Sequence, residues 1–195
     1  MNASKLLALV GMITGIVYLT SMHFSSVPHA NLDEDRTVEL IESHLDEKQA
    51  RMPQEELREV ATTIYEACRR YAVDYRLVLA VMDAESNFRQ DVVSRKGAIG
   101  IMQVKPIVAR EFSEAVGIPY RPHVLRGTRA NIHFGVYYLS WLSQHFDNDH
   151  AVLFAYNAGF TRARQSITRS SEPKTLYTRK VIKEYQRNCS RFPVI

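Results

Sequence analysis

From Pro53 to Arg187 apolar residues recur at three- and four-residue intervals, and no stretch shows the period of two that a half-buried strand needs. That pattern restricts the body of the chain to a mostly α-helical fold. Pro53 opens a helix with Glu55 and Glu56 in its first turn, where the helix dipole favours acids. Its apolar positions Leu57, Val60, Ala61, Ile64, Ala67 and Cys68 share one face. Asp74 is placed to cap a second helix from Leu77 to Glu85, apolar almost all round and so expected in the core. Residues 87–100 read as loop, and Pro106 as the start of a short helix. Thr128 to Phe146 is a long amphipathic stretch carrying Ile132, Tyr137, Tyr138, Leu139, Trp141 and Leu142. Asp149 would cap Ala151 to Ala158, which Gly159 ends, and a last helix covers Thr175 to Arg187. With 195 residues, 46% hydrophobic and 24% charged, and no internal repeat, the chain has room for one such domain, residues 53–195.

Ahead of it, Leu6 to Met22 carries no charge, and Lys5 is the single formal charge of residues 1–30. One cation followed by an apolar run is the pattern of a signal peptide or a membrane anchor. The run is borderline in length for a span, and Pro28 and Ala30 make an imperfect cleavage site. Both readings export the body to the periplasm or cell envelope. Gly11 and Gly15 have helix-packing spacing but read as incidental in an apolar leader. Residues 31–52 read as a charged connector or solvated helix, with only Val38, Leu40, Ile41 and Leu45 apolar. Residues 31–60 hold ten acids and four bases, whereas 61–195 hold 20 bases and 11 acids. A basic body suits an anionic partner, although ordinary solubility explains the same charge. In an oxidising compartment Cys68 and Cys189 would be able to form a disulfide closing a loop of about 120 residues, worth about 3–5 kcal/mol.

Many chemistries have no residues to carry them. The seven histidines are scattered, and neither a His-Glu-x-x-His nor a Cys-x-x-Cys sequence suggests a metal. There is no Gly-x-Ser-x-Gly elbow, P-loop or dinucleotide-binding glycine pattern, so no cofactor is implied. The ten tyrosines lie at helical spacing, which argues against a base-stacking sheet and against nucleic acid as the partner. Glu85 stands out because it closes an apolar helix. Burial there would disfavour the carboxylate and hold a proton near neutral pH, as a general acid requires. Asp83 cannot pair with it, since two residues along a helix is about 200° of rotation.

Three segments in order, Glu85-Ser-Asn-Phe, Gly97-Ala-Ile-Gly-Ile-Met-Gln103 and Ala155-Tyr-Asn-Ala-Gly159, resemble the lytic transglycosylase domain of the SLT, goose-lysozyme-like type. The resemblance covers residues 60 to 187 and implies a helical, lysozyme-like fold that cleaves peptidoglycan glycan strands between N-acetylmuramic acid and N-acetylglucosamine. It implies Glu85 as the catalytic acid and Ser86 as its usual neighbour. It places Met102 and Gln103 in the cleft lining, and Tyr156 and Asn157 on the substrate-side wall. Tyr177 matches a late tyrosine that faces the glutamate. The stretch before it, Pro173-Lys-Thr-Leu, departs from the Glu-Thr-Arg pattern common in the family.

A retaining or inverting glycosidase needs two carboxylates. Only one stands out here, which suits a transglycosylase, where no water has to be activated. Two other readings stand beside it. One is a muramidase that uses water; the other is a non-catalytic wall-binding module of an envelope-spanning secretion or conjugation machine.

Overall fold

The computed structural model describes residues 34–50, 52–167 and 173–194. The leader Leu6–Met22, with its signal or anchor role, lies outside the described residues. Among those described, no helix is long and apolar enough to cross a membrane.

Helix α1 (Glu34–Glu47) occupies the stretch expected to be a connector or solvated helix. It is a helix, and not merely a solvated one. Val38, Ile41 and Leu45 are spaced three and four apart, and all are buried against α2 (Gln54–Tyr71). Among the described residues the packed core therefore extends to α1, ahead of Pro53; three apolar residues sharing one face outweighed the acidic composition. His44, on the same face, is 2% exposed and sits edge-on to Phe88 and Phe192 with neither ring nitrogen hydrogen-bonded.

Helix α3 (Tyr75–Ser86) runs through the centre, with Tyr75 to Met82 all buried. Asp74 caps it as expected, accepting from the Arg76 N–H at 2.9 Å. The Arg76 guanidinium also pairs with the Asp74 carboxylate, and Tyr185 Oη donates to the same carboxylate at 2.8 Å. This buried pair has the additional hydrogen bonds it needs to offset desolvation. Two short helices follow the loop after α3: α4 (Pro106–Glu111) and α5 (Ser113–Val116). A 3-10 turn (Val124–Arg126) leads into α6 (Thr128–Ser143). Helix α7 (Asp149–Ala158) is capped by Asn148 rather than Asp149, through its side-chain oxygen on the Ala151 N–H. Then come α8 (Phe160–Ser166) and α9 (Leu176–Arg191), the latter capped by Thr175. The α5 turn, the 3-10 turn and α8 were not read from the sequence; each is seven residues or shorter, too short for periodicity to register. Only two isolated bridges, centred on Ile99, represent β-structure among the described residues.

The disulfide expected between Cys68 and Cys189 is not formed; both are free thiols. Cys68 lies on the buried face of α2, where burial pushes its thiol well up, while Cys189 is exposed on α9. The polar sequence around Cys189 reflects a solvated helix face, not a covalent tie.

Candidate active site

Glu85 is the penultimate residue of α3. The helix stops one residue later because Asn87 and Phe88 both adopt left-handed backbone (φ 52° and 59°). For a buried phenylalanine this conformation is strained, and it is held by the packing of its ring in the core. The turn leaves the Glu85 carboxyl at the negative end of the α3 dipole, which itself disfavours ionisation. Burial pushes the carboxyl up to about 7. A hydrogen bond from Tyr177 Oη to Glu85 Oε1 at 2.7 Å opposes the rise, as do the charges of Lys180 and Lys105. Tyr177 lies in the first turn of α9 and is itself pushed well above 10 by burial and by Glu85, so it remains a donor.

The segment Gly97–Gln103 is pinned from three helices. From α3, Ser86 Oγ donates to the Ile101 carbonyl at 2.7 Å. From α6, Asn131 Oδ1 accepts from the Met102 N–H at 2.9 Å, while its Nδ2 donates to the Ile99 and Leu125 carbonyls. From α7, Tyr156 Oη donates to the Met102 carbonyl at 2.8 Å. Gly100 has φ +79°, and a Cβ there would stand 2.4 Å from Asn131 Nδ2, so the clasp requires glycine. Gly135 on α6 leaves the space into which the Met102 side chain packs.

The outcome is a cavity of about 810 Å³ with Glu85 on its wall. Gln103, Tyr156, Asn157, Trp141 and Phe160 share that wall. The aromatic side is continuous, with Tyr138 stacked on Trp141 (6.1 Å) and Trp141 edge-on to Phe160 (4.7 Å). A concave apolar wall with a few fixed polar groups is how a sugar-sized ligand is held.

The expected site residues thus converge, but not all face the cavity. Ser86 (4% exposed) and Met102 (0%) turn inward and hold the loop, so neither lines the substrate side. The left-handed Gln103 (φ 51°) directs Met102 toward Gly135 and Gln103 toward the cavity. Gln103 Nε2 donates to the Val92 and Gly100 carbonyls, leaving its amide oxygen as the group able to face a ligand. Tyr177 touches Glu85 without lining the cavity. Asn131, Trp141 and Phe160 were missed. A polar residue on the apolar face of the 128–146 stretch was the available signal for Asn131. Among the described residues, no three His, Cys, Asp or Glu side chains are grouped to hold a metal ion.

Residues 62–178 match the transglycosylase SLT domain family. The chain belongs to this family. The SLT-type body also resembles a solved structure, an inactive glutamate-to-glutamine mutant of the lytic transglycosylase Slt from Pseudomonas aeruginosa. The TM-score is 0.61 at 22% identity, over 82% of this chain and 31% of that one. The likeness extends the family assignment to the fold: a mostly helical SLT-type domain of lytic transglycosylase architecture. This chain corresponds to less than a third of that protein's length.

Proposed function

We propose that this SLT-type protein is a peptidoglycan lytic transglycosylase with Glu85 as its single general acid and base. The observation that carries the reading is the Glu85 carboxyl. It sits on the wall of a sugar-sized cavity, held by Tyr177 and raised to about 7 by burial. In the protonated form it donates to the glycosidic oxygen as the bond to the muramic acid anomeric carbon breaks. The N-acetyl group of that sugar assists at the carbon. Glu85, now a carboxylate, takes the proton of the same sugar's 6-hydroxyl, whose oxygen closes the 1,6-anhydro ring. The ring closure is intramolecular, and proximity is worth up to about 7–11 kcal/mol in favourable cases. Gln103 and Asn157, both on the cavity wall, would orient the N-acetyl groups.

Substitution of Glu85 by Gln keeps size and the acceptor for Tyr177 but removes the proton. The variant should bind wall sacs and release no 1,6-anhydromuropeptides; retained turnover would exclude Glu85 as the acid. A hydrolytic reading is favoured by one observation: Glu111, exposed at the end of α4, is a second carboxylate on the cavity wall. Mass spectrometry of the products separates the two, because hydrolysis leaves a sugar heavier by one water. Wall binding without lysis by the wild type would instead mark a non-catalytic module of an envelope-spanning machine. Export belongs to the same proposal, with Leu6–Met22 as signal or anchor, and predicts that the protein fractionates with the cell envelope.

A further inference from the structure

Two segments outside the family-matched region, α1 with the residues after it and α9 beyond Thr178, meet at the residue two positions before Glu85. Lys48 Nζ donates to Asp83 Oδ2 on α3 at 2.8 Å and to Glu184 Oε1 on α9 at 2.6 Å. The three side chains are 27%, 15% and 13% exposed, so solvent screens this bridge less than a surface pair. Lys180 adds a second tie from α9, with Nζ 3.3 Å from Asp83 Oδ1 and donating to the Asp83 carbonyl at 3.2 Å. Lys180 is three residues after Tyr177, on the same face of α9. The helices that Lys48 joins are therefore the two that carry Glu85 and its hydrogen-bond donor.

We propose that the Asp83–Lys48–Glu184 bridge is a positioning clamp for Glu85, holding α9 on α3 at the height where Tyr177 Oη reaches the carboxyl. Lys48 is a positioning residue and does not line the cavity. The charged and titratable groups acting on Glu85 are Tyr177 and Lys180 from α9, Lys105 ahead of α4 and Tyr156 from α7. Lys48 is not among them, so its influence passes through the placement of Tyr177. The inference rests on the reading of Glu85 as the acid only where turnover is measured.

The test is a carbon-13 NMR titration of the full chain labelled at glutamate, with the Glu85 signal assigned by its loss in E85Q. In K48M the Glu85 midpoint should rise by about half a pH unit or more, because the hydrogen bond that favours the charged form is loosened. K48R should restore it. In a Y177F background K48M should move the midpoint no further. On wall sacs, K48M should lower kcat with little change in KM. A fall in melting temperature with an unmoved midpoint would overturn the clamp, as would a K48M shift undiminished in Y177F. Should K48M fail to fold, E184Q opens the same bridge from α9 and must give the same upward shift. A wild type without turnover would sink the transglycosylase reading and leave the titration arm standing.

Discussion

Glu85 sits where a carboxylate is least welcome: at the last turn of a buried helix, with one hydroxyl donor for company. Its proton affinity is raised in the folded state relative to the unfolded chain. Between about pH 4.5 and 7 the native protein therefore binds more protons than the unfolded one, and this residue lowers stability as pH rises through that window. E85Q should consequently be more stable than wild type at pH 8, by about 1–3 kcal/mol, and no more stable at pH 4. Chemical denaturation at the two pH values reads the difference. Activity should move in the same direction as this contribution to stability, falling as pH rises through about 7, since the acid must carry its proton. Y177F removes the hydrogen bond that favours the carboxylate, so the alkaline limb of its pH–rate profile should move to higher pH.

Among the elements, the decisive one is a loop. The segment Gly97–Gln103 reaches the cavity because Ser86, Asn131 and Tyr156 hold it from three different helices. Gly100→Ala would combine an unfavourable φ with a collision against Asn131, and should cost about 2–4 kcal/mol and most of the activity. Urea denaturation alongside a sac-lysis assay checks both. The helices that build this frame were legible in the sequence wherever the apolar period ran three turns or more, as in α2, α3 and α6. So were the loop and its glycines, as part of a motif. What the sequence did not disclose was direction. Ser86 and Met102 stand beside residues that face the cavity and yet point inward: Ser86 is turned one helical step from Glu85 onto the Ile101 carbonyl, and Met102 precedes the left-handed Gln103. Apolar periodicity does not report a left-handed residue within a loop, such as Gln103.

At the scale of the whole molecule, α1 is part of the core although its composition advertised a solvated stretch. A chain beginning at Pro53 would expose the sites that receive Val38, Ile41 and Leu45, each worth about 1.5–3 kcal/mol. A loss of about 5 kcal/mol approaches the entire stability of a domain this size, so the truncated chain should show no cooperative unfolding transition. The free thiols give a second check: a thiol reagent should modify one cysteine in the native protein, Cys189, and two after unfolding. Finally, His44 is held neutral between Phe88 and Phe192, its proton affinity lowered to about 4 by burial first and then by Lys48 and Arg191. Below about pH 6.5 the unfolded chain accepts a proton there that the native one refuses until about pH 4, so stability drains away across that interval. Mild acid should thus act as a wedge at the joint between the amino-terminal helix and the carboxy-terminal tail, and amide hydrogens of α1 should exchange ahead of those of α3 as the solution is acidified.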